Sequence, residues 1–538
     1  MLIAQALKMS PVGSLLFITA AAAAAVSAGY LETLLTEPGE FGFDEQWDSG
    51  IRYQLERLKT SLASSSDDGC DNCQNACSLL SILVPNNVSS SSSPDYVPIP
   101  YWSIQQSEVT PACRIDVSSA EDIATTIKVA NLTECPFAVK SGGHAAFPGG
   151  SSIENGILIN LANLNTVSLS ADRTTASLGP GNKWYDVYKT LDPLGVSVIG
   201  GREAGVGVGG LTLGGGISYF SGRFGWACDN VLNYEVVLAN ASIVNASPTS
   251  HADLYQALRG GGGTNFGIVS RFDVAAFEQG LLWGGSRYYS MDQNHSLADA
   301  YSQFLIDAPS DDFAHLYLAF AYAAQLGGFI AITGPTYGRP VADPPIFEQL
   351  NKIPNLVDLT SVSNMTSLAV ALNQTAYLRE IFKTVTFRDD ASLIKEIISI
   401  FVEEAGSLLS VPGFAPAFAF QPLSLNILQH MSKNGGNVLG LADSTEPLTI
   451  MNLNWGWSSA ADDQLIFTTV DRFLARSVAL ADDRDANNKY IYMNYAAPEQ
   501  AVFEGYGEEN LIRLTDIKSK YDPGSVFGRL QAGYFKLH

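Results

Sequence analysis

The sequence predicts an α+β fold with two sheets in successive parts of a 538-residue chain. From about Ser107 to Gln279, short β-branched runs are separated by glycine turns and by two helix-like segments, Ser119–Asn131 and Lys183–Leu191. From about Leu281 to Ala481, alternating strands are interspersed with helices, which predicts an antiparallel sheet covered by helices. The length of the chain is sufficient for about two to four domains. Its 46% hydrophobic residues are enough to form large cores.

Changes in composition divide the chain into parts. Residues 1–28 are a predicted signal peptide, and residues 29–106 are a helical and then loop-rich lead-in. Residues 107–280 and 281–488 are the two sheet-containing domains. Residues 489–538 are too few for a domain of their own, so we expect them to return to one of the other two.

The N-terminus has the pattern of a secretory signal. An apolar run from Val12 leads into an alanine stretch and ends at Val26-Ser-Ala28, a small-x-small cleavage pattern. A membrane anchor is the alternative, but the run is short and no second apolar stretch of about 20 residues follows. We therefore predict a secreted protein without stable membrane insertion. The N-x-S/T sequons that fit this location are Asn87, Asn131, Asn240, Asn245, Asn294, Asn364 and Asn373.

The charge balance limits the partners of the protein. A net charge of −23 repels phosphodiester backbones and anionic lipid heads. Nucleic acid is therefore not an expected partner. A small-molecule substrate is expected instead, and the sequence does not reveal the oligomeric state.

The cysteines favour disulfides over a metal site. They are even in number in a chain predicted to enter an oxidising compartment. The cluster Cys70–Cys77 lies in a predicted loop, and no second CxxC pair exists to complete a zinc site. The pairing stays open among Cys70, Cys73, Cys77, Cys113, Cys135 and Cys228.

The first of three glycine-rich elements, Pro136–Gly150, places His144 directly after Ser141-Gly-Gly143. Paired glycines let main-chain N–H groups approach an anion closely, and an imidazole beside them could attack or orient the bound group. A tight turn with a surface histidine is the alternative. The other two glycine elements bear on this choice.

The second element, Gly200–Gly216, contains a formal GxGxxG pattern at Gly205, Gly207 and Gly210, with Asp229 about where a ribose-binding acid would follow. We reject a dinucleotide-binding Rossmann site because that pattern must open a helix, and the further glycines at the end of the element oppose one. The element also does not follow the first strand of a βαβ unit. A glycine-lined surface for a large, flat, charged cofactor is the better explanation.

The third element, Leu258–Val269, runs from consecutive glycines straight into a β-branched strand through Asn265 and Phe266. A flexible linker is the alternative, but Gly/Ser linkers do not lead into a strand in this way. Three glycine elements in one domain favour a functional role for His144.

The ordered set of motifs resembles the berberine-bridge-enzyme-like group of FAD-linked oxidases, within the vanillyl-alcohol-oxidase / p-cresol-methylhydroxylase superfamily. The set spans nearly the whole chain after the leader and consists of SGGH, GVGGLTLGGGISYFSGRFGWACDNV, ALRGGGGTNFGIV, Tyr492–Tyr495 and Tyr521–Phe527. The resemblance implies a two-lobed, p-cresol-methylhydroxylase-type FAD-binding domain formed by 107–280 and 489–538. It also implies a substrate domain, 281–488, whose sheet covers the flavin ring.

The resemblance further implies site residues. His144 matches the histidine that is covalently attached to the flavin ring methyl, and Asn494 lies beside the flavin. Tyr495 matches a tyrosine that serves some relatives as the substrate-side base, with a packing role in the core as the alternative. The other implied FAD-binding residues are Val139, Lys140, Ser141, Gly142 and Gly143 in the first loop, Gly205, Val206, Gly207, Gly209, Gly210, Leu211 and Gly215 in the second, and Asp229, Val231, Gly267, Ile268 and Val269 near the ADP part.

One departure from the family concerns the flavin linkage. Members with two covalent bonds carry a cysteine in the second glycine loop, but this chain has no cysteine between Cys135 and Cys228. We therefore expect FAD to be attached through His144 alone.

The resemblance implies an oxidase that takes hydride from an alcohol, amine or related carbon of a small molecule, with O₂ reoxidising the flavin. The Ala- and Phe-rich run Pro412–Leu423 favours a hydrophobic secondary metabolite as substrate. The alternatives are a carbohydrate oxidase, an oxidative cyclase and a non-catalytic carrier. Glu404 and Glu446 are weaker candidates than Tyr495 for the base.

The strand pattern Leu448–Trp457 predicts one wall of the substrate cavity. Alternation places Asn452 and Asn454 on one face, and Met451 and Trp455 on the other. One face should line the cavity and the other should pack on helices. The sequence does not decide which.

Overall fold

The computed structural model describes residues 49–64, 72–373, 378–531 and 533–538. These residues form helices and predominantly antiparallel sheets, which confirms the predicted α+β class. They form four sheets rather than two, since each predicted sheet region divides into a pair. The predicted signal peptide and Cys70 lie outside the described residues.

The first sheet connects the lead-in to the first glycine element. Its strands are β1 Val88–Ser90, β2 Cys113–Asp116, β3 Phe137–Lys140 and β4 Ile157–Asn160. The order is β1-β2-β4-β3, with β2, β4 and β3 parallel and β1 antiparallel to β2. Disulfides Cys73–Cys135 and Cys77–Cys113 bind the helix Asn72–Leu83 to this layer.

The second sheet is antiparallel and supports the other two glycine elements. Its strands are β5 Val167–Leu169, β6 Thr175–Leu178, β7 Val196–Val198, β8 Val231–Val237, β9 Ile243–Ala246 and β10 Ile268–Glu278. The order is β5-β6-β10-β8-β9, and β7 pairs with the far end of β10. The second glycine element follows β7, and the third leads into β10.

The remaining strands form a small and a large antiparallel sheet. They are β11 Leu282–Gly284, β12 Arg287–Ser290, β13 Ala314–His315, β14 Leu318–Ala323, β15 Gly328–Thr333, β16 Thr336–Tyr337, β17 Val357–Asp358, β18 Ser361–Ser363, β19 Arg379–Arg388, β20 Ala415–Leu423, β21 Leu448–Trp457 and β22 Asn487–Asn488. The small sheet has the order β13-β16-β11-β18. The large one has the order β17-β12-β15-β14-β20-β21-β19-β22.

The described residues also form helices, which are interspersed with the strands along the chain. They are α1 Ser49–Ser64, α2 Asn72–Leu83, α3 Ile104–Ser107, α4 Ala120–Thr133, α5 Trp184–Leu191, α6 Val208–Leu213, α7 Ser221–Phe224, α8 Ala252–Leu258, α9 Asn294–Asp307, α10 Glu348–Asn351, α11 Met365–Ala371, α12 Ala391–Gly406, α13 Leu425–Gln429, α14 Asp463–Asp482, α15 Val502–Gly505, α16 Glu508–Tyr521 and α17 Val526–Leu530. Within the described ranges, no helix is long and apolar enough to cross a bilayer.

The large sheet has one helix-covered face. Met451 and Trp455 of β21 are fully buried in a core shared with α9, α12 and α14. Asn452 and Asn454 lie on the opposite face of the same strand. The structure thus answers the question that the sequence left open: the asparagine face is turned away from the helices.

Three local features differ from expectation. Cys73 and Cys77 lie on helix α2 rather than in a loop, and their spacing of four residues puts both sulfurs on the face that meets the sheet. The second glycine element does open a helix, α6, although a short one that ends before Gly214. Cys228 is a buried thiol rather than half of a disulfide.

The two weaker base candidates are engaged elsewhere. Glu404 on α12 is buried and accepts from Arg472 Nε and Arg476 Nη1, each at 2.7 Å. Glu446 is exposed and lies 3.5 Å from Arg388 Nη1. Neither residue lines the large cavity described below.

The C-terminal segment packs against the glycine-element region. Tyr492, Tyr506 and Leu537 belong to the core of the second sheet, and Phe527 belongs to the core of the first. The hydroxyl of Thr264, in the third glycine element, donates to the carbonyl of Phe535 at 2.8 Å.

The first two glycine elements touch through their backbones. A Cβ added to Gly142 would lie 2.5 Å from both the Cα and the N of Gly207. Ser141 reinforces the contact, since its hydroxyl donates to the carbonyl of Pro180 and accepts from the N–H of Gly209. The absence of side chains at Gly142 and Gly207 therefore determines how close the two loops lie.

We expect Gly142→Ala to lower the free energy of unfolding by about 1–3 kcal/mol, because the new methyl group forces the two backbones apart. Thermal unfolding of the purified protein measures the effect. Gly280→Ala is the control, since a Cβ there has no heavy atom within 4 Å. Equal midpoints for the Gly142 variant and wild type would contradict this prediction.

Candidate active site

A cavity of ≈ 520 Å³ lies between the glycine elements and the large sheet. The first and second glycine elements form its floor, together with parts of the third. Its roof is the face of the large sheet that carries Asn452 and Asn454. Residues from the C-terminal segment, including Asn494 and Tyr495, complete one side.

The first glycine element presents bare backbone to the cavity. Strand β3 delivers Ser141, and Gly143 takes a positive φ of 71°, which glycine adopts without a steric penalty. Among the described residues, no acceptor faces the amide N–H groups of Gly142, Gly143 or His144. Successive N–H groups of this kind form a concave site for an anion such as a pyrophosphate.

His144 is held in a defined orientation. The indole of Trp102, from the lead-in, stacks on the imidazole with ring centroids 4.4 Å apart and an angle of 9° between the planes. The imidazole Nε2 lies 3.2 Å from Oε1 of Glu203. Nδ1 has no hydrogen-bond partner among the described residues, so it is the nitrogen that remains for bonding to a ligand.

The second glycine element contributes open space to the cavity, whereas the first contributes backbone N–H donors. A Cβ added to Gly210 would have no heavy atom within 4 Å, so this part of α6 borders open space. Gly214, just after the helix, packs against the side chain of Asn494, whose Nδ2 donates to the carbonyl of Leu211 at 3.0 Å. The floor is therefore smooth, and Asn494 connects it to the C-terminal segment.

A polar corner surrounds Tyr495. Nη2 of Arg202 donates to the phenolic oxygen of Tyr495 at 2.9 Å, and Nη1 donates to Oε1 of Gln421 at 2.6 Å. The same Nη1 lies 3.2 Å from Nε2 of His315. Because arginine only donates, His315 must accept here as the neutral imidazole. Burial lowers the pKa of His315 well below its usual range, and the charge of Arg202 lowers it further.

The roof contains a buried carboxyl. Oε2 of Glu380 accepts from Nδ2 of Asn454 at 2.9 Å. Burial raises the pKa of Glu380 to about 8, although the hydrogen bond from Asn454 works in the opposite direction. The carboxyl is therefore mostly uncharged at neutral pH.

Most of the residues implied by the sequence meet at this cavity. Those that line it are Val139, Ser141, Gly142, Gly143, His144, Val206, Gly207, Gly209, Gly210, Leu211, Ile268, Val269, Asn494 and Tyr495. Those that do not are Lys140, Gly205, Gly215, Asp229, Val231 and Gly267.

Asp229 has a structural position rather than one in the cavity. It is fully buried, lies 3.3 Å from Arg259 Nη2, and accepts from the backbone N–H of Trp226 and from Asn437 Nδ2. Burial raises its pKa, although Arg259 works against the shift. Val231, nearby, begins β8 in the core. The oxygens of Asp229 are used within the protein, and its expected position near the ADP part of FAD stays a prediction.

The other four residues outside the cavity support it from behind. A Cβ on Gly267 would lie 2.5 Å from Val236 Cγ1, and one on Gly215 would lie 2.7 Å from the ring of Trp226. Gly205 faces the side chain of Asn373. Lys140 is buried with Nζ 5.4 Å from the centroid of the Tyr101 ring, and burial lowers its pKa to about 8.

The sequence did not single out the side chains that hold His144 and Tyr495. In the sequence, Arg202 and Glu203 stand between two groups of glycines, and no motif indicates a role for either residue. Their partners stand far away in the chain: His144 is 59 residues from Glu203, and Tyr495 is 293 residues from Arg202. No spacing rule could have connected them.

Comparisons with known proteins agree with this geometry. A family model described as "FAD binding domain" matches residues 111–247, and one described as "Berberine and berberine like" matches residues 491–532. The FAD-dependent monooxygenase tpcD of Cochliobolus heterostrophus is 39% identical over 520 residues, which cover 91% of this chain and 99% of the relative.

Solved structures share the fold. The 6-hydroxy-D-nicotine oxidase of Arthrobacter nicotinovorans superposes with a TM-score of 0.69 at 19% identity, covering 84% of this chain and 97% of that one. The glucooligosaccharide oxidase of Acremonium strictum, described with a 6-S-cysteinyl, 8α-N1-histidyl FAD, has a TM-score of 0.66 at 20% identity, covering 86% and 100%. Together with the curated relative and the two matched family models, the glycine-lined cavity leads to one conclusion: the chain belongs to the berberine-bridge-enzyme-like family of FAD-dependent oxidoreductases.

Proposed function

We propose that the protein is a secreted oxidase that binds FAD through His144 alone and oxidises an alcohol, amine or related carbon of a small secondary metabolite. The observation that carries the proposal is that one cavity has both His144 on its glycine floor and Tyr495 in its polar corner. When bound, FAD would accept the hydride from the substrate carbon and pass the electrons to O₂, which yields H₂O₂.

The residues of the floor fit such a cofactor. The N–H groups of the first glycine element suit the pyrophosphate, and the open space beside Gly210 suits a flat ring system. Nδ1 of His144 is the free nitrogen for the covalent bond, and Trp102 and Glu203 fix the imidazole. We propose that residues 107–280 and 489–538 together form this FAD-binding unit.

Tyr495 is the proposed proton acceptor on the substrate side. Its oxygen accepts from Arg202, a contact that would stabilise the phenolate form in which Tyr495 can take a proton from a bound hydroxyl or amine. Asn452 and Asn454 of the roof, with Gln421, are placed to orient polar groups of the substrate. The roof thus fixes the reacting carbon while Tyr495 moves the proton.

Secretion is supported by the leader-like N-terminus and by the two disulfides, which persist in oxidising compartments. A secondary metabolite as substrate is supported by the apolar part of the cavity wall, which includes Ala417, Ala419 and Phe382. A carbohydrate oxidase and an oxidative cyclase are the alternatives. The glucooligosaccharide oxidase among the similar folds favours the first of these.

A monooxygenase is a second candidate, because several relatives bear that description. The two reactions differ in the fate of O₂. An oxidase releases both oxygen atoms as H₂O₂, whereas a monooxygenase puts one into the product and one into water. Turnover under isotopically heavy O₂, followed by mass spectrometry of the product and an H₂O₂ assay, separates them.

We expect His144→Ala to abolish covalent attachment of the flavin, because no other nitrogen nucleophile of the first glycine element faces the cavity. The measurement is the yellow colour that stays with the protein after acid precipitation. Tyr495→Phe serves as the control and should keep the bound flavin. Wild-type protein that loses all its flavin to the supernatant, or a His144 variant that keeps it, would overturn the linkage.

We expect Tyr495→Phe to lower kcat by about 10²–10⁴-fold with a much smaller change in KM, because it removes proton transfer but keeps the ring. Steady-state oxidation by the flavin-loaded variant measures this. Tyr521→Phe is the matched control, since that hydroxyl donates to Asp253 outside the cavity. A Tyr495 variant with full kcat would rule the residue out as the proton acceptor.

A further inference from the structure

Arg202 places a positive charge at the cavity wall, and its described partners are all neutral. They are the phenol of Tyr495, the amide of Gln421 and the imidazole of His315. In the part of the chain that the structure describes, no carboxylate lies within ion-pair distance of this guanidinium. Glu203, the next residue, directs Oε1 to His144 instead.

Two further ionisable groups near the corner, His315 and Glu380, do not balance the charge. His315 is neutral, because it accepts from Arg202 and burial lowers its pKa. Glu380 in the roof is mostly uncharged at neutral pH, because burial raises its pKa to about 8. A half-buried cation without a counter-ion costs free energy, and an anionic ligand would remove that cost.

The guanidinium also has hydrogen-bonding capacity left. Arginine carries five N–H groups. Nη1 serves Gln421 and His315, and one N–H of Nη2 serves Tyr495. Nε–H and the second N–H of Nη2 have no acceptor among the described residues. Two neighbouring donors of one guanidinium match the two oxygens of a carboxylate, or one phenolate oxygen.

The roof above this corner favours a flat ligand. Ala319 on β14 stands directly opposite Ala419 on β20, and Ala417 lies two residues before Ala419 on the same face. These methyl groups form an apolar strip of the roof that faces the smooth glycine floor. Phe382 and Tyr317 border the cavity as aromatic walls. Planar rings pack well against such walls, whereas a pyranose needs room for groups above and below its plane.

We propose that Arg202 is a specificity-determining residue that binds an anionic oxygen, a carboxylate or phenolate, of a planar aromatic substrate. The inference rests on the proposed function, since it names the substrate class for the same cavity. Arg202 pairs with the anion and holds Tyr495 beside it, so binding of the acidic group brings the rest of the ring system to the proton acceptor. Neutral sugars do not supply the counter-charge.

The test compares two ligands of nearly the same shape, benzoate and benzamide, with the purified flavin-loaded protein. Binding is followed by the change in flavin absorbance and by calorimetry. We expect benzoate to bind at least about tenfold more tightly, since its carboxylate can form charge-assisted hydrogen bonds with Arg202 that the neutral amide of benzamide cannot. 4-Nitrophenolate against nitrobenzene separates a phenolate preference from a carboxylate preference. Equal affinities in both pairs would overturn the proposal without any variant.

Variants assign the preference to Arg202. Arg202→Gln should remove the preference for the anion, and Arg202→Lys should keep part of it, because lysine retains the charge but not the fork. Arg513→Gln, an exposed residue paired with Glu509, is the control and should bind like wild type. An Arg202→Gln variant that retains flavin and still prefers benzoate would assign the preference elsewhere and overturn the proposal.

Different results are expected if the proposed oxidase function, rather than the role of Arg202, is wrong. Protein that carries no flavin after expression with FAD contradicts the oxidase, and calorimetry with benzoate still tests the anion site on that protein. Protein that carries flavin but binds cellobiose more tightly than both aromatic ligands would be consistent with an oxidase. It would contradict the proposed planar, anionic substrate.

Discussion

The backbone contact between Gly142 and Gly207 is the constraint on which the site depends. Two loops from different sheets can lie this close only because neither residue has a side chain. The contact brings His144 of the first glycine element next to Glu203 of the second. It also places Arg202 at the edge of the cavity, where the C-terminal Tyr495 and the roof residue Gln421 meet it. Floor, roof and C-terminal segment thus share one corner.

Features carried by local sequence were predictable. Glycine groups before β-branched runs predicted the loops, and alternation in Leu448–Trp457 predicted a strand with the bounds that the structure shows. Ser119, at the start of the predicted segment Ser119–Asn131, caps helix α4 by accepting from the N–H of Asp122 three residues later. Which face of β21 meets the cavity depends on where α9, α12 and α14 pack, and that information lies outside the strand.

Features that need tertiary neighbours were not predictable. The CxxC-containing stretch seemed a loop because polar residues flank it, but packing of Cys73 and Cys77 against the sheet favours a helix. Asp229 stood at a plausible distance for a ribose contact, yet the burial of Arg259 beside it commits the carboxylate to the core. The partners of Arg202 come from three other regions of the chain, so the polar corner exists only in the folded protein.

The lead-in has a consequence for how the protein can be divided. The indole of Trp102 stacks on His144, and the backbone N–H of Trp102 donates to the carbonyl of Gly143. The side chain of Gln106 donates to the carbonyl of Ala145 and accepts from Ser151. Trp102 and Gln106 thus contact the loop that carries His144. Both residues precede residue 111, where the first matched family region begins. A fragment that begins at residue 111 would keep the three glycine elements but lose the contacts of Trp102 and Gln106 with the His144 loop. The smallest fragment that can hold the imidazole in place is therefore longer than the matched FAD-binding region.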